Sequence, residues 1–125
     1  MKQKQDPHQQ LPLTPAVFHI LLVLVDGECH GYGVMQEVTA RSEGRVSLGP
    51  GTLYGAFKRL LANGLIEEAG ERYDPKLSDE RRRYYRLTDF GLRVAQAEAQ
   101  RLAQLVHLAQ SKPGLLDPEL GLGGM

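Results

Sequence analysis

The sequence predicts a mainly α fold with a two-stranded β ribbon and a long terminal helix. Three observations predict it. Three helical patterns follow one another between residues 13 and 63, each closed by a stop containing glycine: Asp26-Gly27, Glu43-Gly44 and Asn63-Gly64. Two short strand patterns come next, with a polar loop between them. A last helical pattern then carries small and apolar residues at spacings of three and four over more than two heptads.

Residues 1–12 are polar, rich in Gln and Lys, and without an apolar period, so a flexible arm is expected there. Lys2 and Lys4 in it read as part of a solvated tail, the alternative being contact with a phosphate backbone. Thr14 can cap the first helix and Pro15 can open it, where a missing N–H costs nothing. Val17, Ile20, Leu21 and Leu24 recur at helical spacing, and Phe18, Leu22, Val23 and Val25 make the helix apolar nearly all round. Such a helix is buried on more than one side, in a core or a subunit interface. The second helix is expected from Gly31 to about Ser42, on a stripe of Tyr32, Met35 and Val38 with Val34 beside it. The third opens at Gly49-Pro50 and buries Leu53, Phe57, Leu60 and Leu61. Residues 65–69 read as one short strand and residues 83–87, rich in Tyr, as the other, joined by a polar loop over 70–82 that carries Ser78-Asp79. Thr88-Asp89 caps the final helix, whose seam is Leu92, Ala95, Ala99, Leu102, Val106 and Ala109. Three helices followed by a two-stranded ribbon make a winged helix-turn-helix. The expected organisation is therefore an arm at 1–12, the winged domain at 13–88, a dimerisation helix at 89–111 and a flexible tail at 112–125.

Composition limits the function classes. The chain has 125 residues, 42% of them hydrophobic and 6% aromatic, with no Trp. That suffices for one domain with an appended helix, filled by Leu, Val and Ala. Formal net charge is +0, which argues mildly against nucleic acid, although local charge governs each phosphate contact. The single cysteine, Cys29, excludes an intramolecular disulfide framework and a cysteine zinc site; it reads as a small apolar residue, the alternative being a redox sensor with a depressed thiol pKa. The longest apolar run, residues 16–25, is broken by His19 and too short to span a bilayer. No membrane partner is expected, and a cytoplasmic location is. His8, His19, His30 and His107 lie on different elements, and the adjacent acidic pairs Glu67-Glu68 and Asp79-Glu80 cannot face each other. No catalytic constellation, cofactor or metal is expected.

Three motifs carry a family resemblance. His30-Gly31-Tyr32-Gly33 opens the second helix. Gly49-Pro50-Gly51-Thr52-Leu53-Tyr54, then Leu60, then Asn63-Gly64-Leu65-Ile66 span the third. Arg82-Arg83-Tyr84-Tyr85-Arg86-Leu87-Thr88, followed by Gly91, span the second strand and the last cap. In this order and spacing they resemble the PadR-like family of winged helix-turn-helix transcriptional regulators, in its subclass with a short C-terminal region. The resemblance covers roughly residues 13–110. It implies dimerisation through the terminal helix, and small-molecule effectors, phenolic compounds or drugs, for some members.

Physical chemistry gives these residues roles. A recognition helix brings its N-terminal turn to the base edges of the major groove. Gly49 and Gly51 allow close backbone approach, and free N–H groups there can meet a phosphate. Thr52 can hydrogen-bond and can touch a thymine methyl; Tyr54 offers a ring and a hydroxyl; Lys58 can reach the backbone. Arg81, Arg82 and Arg83 form the dense basic run of the chain, suited to a wing that touches the minor groove or its phosphates. With Ser47, the expected DNA-contact set is Ser47, Gly51, Thr52, Tyr54, Lys58, Arg81, Arg82 and Arg83. The expected function is a repressor that binds a pseudo-palindromic promoter site as a homodimer, released where an effector changes the spacing of the recognition helices. An effector would sit at the dimer interface or between the first, second and terminal helices, with His30 and Tyr32 near it or in the core. The competing reading is a winged helix used as a protein-interaction module, supported by the neutral net charge and the acidic hairpin loop.

Overall fold

A computed structural model describes residues 5–76 and 80–116. Its elements run α1 (Pro15–Val25), β1 (Cys29–His30), α2 (Gly31–Arg41), α3 (Pro50–Ala62), β2 (Ile66–Tyr73), β3 (Arg81–Leu87) and α4 (Asp89–Gln110). Local chemistry explains their ends. Thr14 Oγ1 accepts the Val17 N–H at 3.1 Å and caps α1, with Pro15 in the first turn. After α3, Gly64 takes φ +77°. The N–H groups of Gly64 and Leu65 then turn back to the carbonyls of Leu61 and Leu60, a Schellman closure that needs the left-handed residue. Thr88 Oγ1 accepts the Gly91 N–H at 2.9 Å and opens α4.

The sheet has three strands in the order β1-β3-β2, all antiparallel. The ribbon expected from the sequence thus gains a third strand. Cys29 and His30 pair with Tyr85 and Tyr84, but two residues are too few to display an alternation. Both long strands also run further than expected. They shorten the polar loop of 70–82 to residues 74–80, of which Ser78 and Asp79 lie outside the described residues. A bulge between Glu68 and Glu71, with Gly70 at φ +94°, carries β2 past residue 69, where the sequence pattern ends.

One core binds the elements together. Ile20, Leu21 and Leu24 of α1, Val34 and Val38 of α2, Leu53, Phe57 and Leu60 of α3, Ile66 and Tyr85 of the sheet, and Phe90 and Val94 of α4 are all buried in it. Each such large side chain contributes about 1.5–3 kcal/mol. The α2 stripe differs from expectation: Val34 and Val38 are buried and Met35 partly so, while Tyr32 is 39% exposed. The segment expected as an arm is folded from residue 5 onward. Pro7–Gln10 form a 3-10 turn capped by Asp6, Leu11 and Leu13 pack on the core, and the Leu13 N–H donates to Glu98 of α4 at 2.9 Å. Its polar composition hid this, because the anchor is a backbone group. Lys2 and Lys4 lie outside the described residues, as does the tail beyond residue 116.

Candidate nucleic-acid interface

Helix α3 buries Leu53, Ala56, Phe57 and Leu60. That periodicity turns Gly51, Thr52, Tyr54 and Lys58 outward, and all four are exposed, as is Ser47 in the connector before the helix. The N-cap is Gly49, which makes no side-chain cap bond, and the first turn carries no acidic residue. Its N–H groups and the positive end of the helix dipole therefore face outward without internal compensation. Tyr54, 51% exposed, meets the ring of Phe57 edge-on at 6.2 Å. It lies so close to α2 that a Cβ on Gly31 would come within 2.7 Å of its hydroxyl oxygen. Gly31 is thus what lets α3 seat its tyrosine against the helix before it. Arg59, which sequence reasoning passed over, runs back along α3 beside Gly55, its Nη1 3.8 Å from where a Cβ would stand there. The signal for it was the i, i+4 relation to a residue with no side chain.

The basic run of the wing is split by the pleat. Arg81 and Arg83 share a face with Tyr85, while Arg82 shares the other with Tyr84 and Arg86. Tyr85 packs on Phe57 of α3 at 4.6 Å between ring centroids, which ties the base of the wing to α3 through the core. Burial raises the Tyr85 hydroxyl above the usual tyrosine range, against a pull downward from the neighbouring Arg83. Arg82 departs from the expectation of three arginines acting as one run. It lies over the Tyr32 ring of α2 at 5.4 Å, and its Nε is buried with no hydrogen-bond partner among the described residues.

The wing is also neutralised from within. Glu71 accepts from Arg83 at 3.1 Å, with Glu68 3.7 Å away; Glu67 accepts from Arg86 at 2.7 Å. Hydrogen bonds to these glutamates raise the pKa of both guanidinium groups. Arg81 reaches the Glu71 carbonyl at 3.2 Å and lies 5.9 Å over the Tyr73 ring. Glu67 and Glu71 sit directly across the ladder from Arg86 and Arg83, and Glu68, opposite Tyr85, reaches Arg83 diagonally, a pairing that only the register reveals.

Helix α4 divides in two. Its first half is buried through Phe90, Gly91, Val94, Ala95, Ala97 and Glu98. Ala95, expected in the seam, is 4% exposed in the single chain and belongs to the fold's own core. The rest of the seam stays open: Leu92 and Leu102 are exposed at 40% and 36%, Ala99 is exposed, and Val106 and Ala109 are half-buried. Leu105 and Leu108, not in the expected seam, are 50% and 54% exposed beside it. Phe18 of α1 and Ala99, Leu102 and Val106 of α4 line an open apolar groove of about 540 Å³. Glu98, 1% exposed, is paired with Arg101 and accepts the Leu13 N–H; the Arg101 hydrogen bond holds its carboxyl below the ordinary range. Sequence reasoning missed it, because a glutamate on a helix reads as solvated.

Two other expectations resolve plainly. His30 is 3% exposed and serves as the α2 N-cap, its Nδ1 accepting the Gly33 N–H at 3.0 Å. The half-buried Cys29 thiol is pushed up in pKa by burial, then by Glu37, opposite to what a redox sensor needs. Among the described residues no helix is long and apolar enough to cross a membrane, and no cluster of three or more His, Cys, Asp or Glu could hold a metal.

Comparison with known proteins assigns the chain. Residues 20–97 match the transcriptional regulator PadR-like family. A transcriptional regulator from Clostridium thermocellum superposes with TM-score 0.62 at 25% identity, covering 78% of this chain and 91% of that one. A PadR family transcription regulator from Clostridium difficile superposes with TM-score 0.63 at 25% identity, covering 78% and 96%. Among curated relatives, an uncharacterized 37.1 kDa protein in a Streptomyces fradiae transposon is 36% identical over 86 residues, which are 69% of this chain and 22% of that protein. Protein X of Lysinibacillus sphaericus, also uncharacterized, is 33% identical over 73 residues, 58% of this chain and 63% of that one. The match thus spans less than two thirds of either curated relative. With its three helices, β wing and terminal helix in the order these structures share, the chain belongs to the PadR-like family of transcriptional regulators.

Proposed function

We propose that the protein is a repressor that binds a pseudo-palindromic promoter site as a homodimer. The first turn of α3 enters the major groove and the wing follows the adjacent backbone. The observation that carries this reading is the exposed α3 face of Gly51, Thr52, Tyr54 and Lys58 behind a helix start with no cap bond. Ser47 lies before that turn and can take a phosphate. The open half of α4, with Leu102, Leu105, Val106 and Leu108, supplies the dimer contact together with Phe18. A symmetric pair of such chains presents two recognition helices to two half-sites. An effector acting at this interface changes their spacing and releases the site. The cytoplasm is the compartment in which such a regulator works.

Fluorescence anisotropy with a duplex from the promoter upstream of the protein's own gene tests this, across a salt series. The expected result is preference over scrambled duplex and a loss of about 10³-fold or more in affinity between 50 and 200 mM salt, from six or more phosphate contacts per dimer. Arg81→Ala/Arg83→Ala should weaken binding, and Arg82→Ala should weaken it less. A folded dimer that binds neither this duplex nor those of other promoters overturns the reading. The internally neutralised wing favours one second reading, a winged helix that docks on a protein partner. That partner would bind with weak salt dependence.

A further inference from the structure

The sheet face opposite Tyr85 carries a run of side chains that links the wing tip to the start of α2. His30 Nδ1 accepts the Gly33 N–H, so in the neutral ring the proton sits on Nε2, which donates to Asp74 Oδ2 at 2.8 Å. Asp74 directly follows the last residue of β2, and its other oxygen accepts the Lys76 N–H at 2.9 Å, closing the turn. The His30 ring meets Tyr84 edge-on at 5.2 Å, and Arg72 lies 3.7 Å over the Tyr84 ring while paired with Glu28. In the ladder His30 stands opposite Tyr84, and Asp74 lies one residue beyond the Tyr73–Arg81 pair. Four residues of strand separate those levels, about 13 Å. The hairpin must therefore curl toward α2 for the two side chains to meet, and the bulge at Gly70 provides the bend. Above Tyr84 the hairpin has no third strand, and a two-stranded ribbon is marginal alone.

We infer that His30 and Asp74 are positioning residues: their hydrogen bond sets the tilt of the wing against α2, and so where Arg81 and Arg83 meet the duplex. This rests on the DNA-binding reading above. Two variants of the full chain test it. Asp74→Ala removes charge and acceptor; Asp74→Asn removes the charge and keeps an acceptor for His30 Nε2–H. Asp74→Ala should speed amide hydrogen exchange in residues 70–76 and 81–84 while leaving α1 and α4 protected. It should weaken promoter affinity about fivefold, the scale of one lost hydrogen bond. Asp74→Asn should restore most of both. In an Arg81→Ala/Arg83→Ala background, Asp74→Ala should cost no further affinity. Unchanged wing exchange in Asp74→Ala overturns the link itself. A loosened wing with unchanged or tighter binding, or a full additive loss in the double-arginine background, overturns the positioning role. If the parent chain binds no duplex, the DNA reading and the positioning role fall together, and exchange alone still decides whether the link exists.

Discussion

Gly91→Ala is the substitution whose cost the structure specifies most directly. Gly91 is the third residue of α4, held by the Thr88 cap. A Cβ there would lie 2.0 Å from the Leu65 carbonyl oxygen and 2.8 Å from Leu87 Cδ2. The first contact is backbone and cannot rotate away. The same carbonyl accepts the Thr88 N–H at 3.0 Å, so moving α4 clear also strains the cap. Helix propensity works the other way, since alanine is favoured over glycine in a helix by about 1 kcal/mol. Overpacking costs typically about 1–3 kcal/mol, and a backbone clash this close belongs at or above the top of that range. The net is a destabilisation of about 2 kcal/mol, or a fall in Tm of about 8 °C for a domain of this size. Because α4 must pivot, its open half should be displaced as well. Thermal unfolding followed by circular dichroism reads the first effect, and sedimentation the loss of any dimer. A Gly91→Ala chain melting within 2 °C of the parent would show that α4 is not seated on the Leu65 carbonyl as described.

Three further outcomes follow from the same geometry. Glu98 has a carboxyl pKa held low by Arg101, so its contribution to stability is fully present at neutral pH and is lost as pH falls through the folded-state value. Glu98→Gln should flatten the fall of Tm on acidification and leave a higher baseline of exchange at Leu13. Leu102→Asp, at an open groove residue, should convert a sedimenting dimer to monomer with little change in the monomer's helical signal. Tyr54→Ala should weaken promoter binding more than tenfold and also lower Tm through the lost contacts with Phe57 and α2, whereas Tyr54→Phe should keep Tm and lose only what the hydroxyl contributes to binding.

Helices and their caps were legible because they are local. Thr14, Pro15, Thr88 and the Asn63-Gly64 stop act within four residues of where they stand, and the stripe Leu53, Phe57 and Leu60 repeats at the helical period. The recognition-helix face followed from the same period. What stayed hidden depends on pairing across distance. The two-residue strand at Cys29–His30 exists only because β3 is beside it. The folded segment at residues 5–13 is tied by a backbone N–H to a carboxylate 85 residues away. The His30–Asp74 link joins residues 44 apart. Ala95 shows the limit of periodicity: it satisfies the seam spacing, yet α4 turns it into the core because the helix packs on its own domain before it runs free.

The wing's internal charge balance explains how a chain with net charge +0 can still be built to bind DNA. Arg83 is held by Glu71 and Glu68, and each of these side chains is about half exposed, so the pairs are weak and exchangeable. A phosphate competes with a carboxylate for the same guanidinium, and the swap lowers the gain from each backbone contact. Non-specific affinity, which is almost wholly electrostatic, is reduced most. A phosphate at the uncapped start of α3 would meet no such competition, because the first turn there carries neither a side-chain cap bond nor an acidic residue. Discrimination between sites therefore rises as the wing is quietened. Glu71→Gln puts this to a direct test: it removes one carboxylate and leaves the strand pairing intact. Binding to scrambled duplex should tighten several-fold at low salt, with the slope of log K against log salt steeper by about 1 per subunit. Binding to the promoter duplex should tighten by a smaller factor, narrowing the ratio between the two. An unchanged slope would mean that Arg83 does not reach a phosphate even when released, and the contact of the wing with DNA would then rest on Arg81 and, to a lesser degree, Arg82.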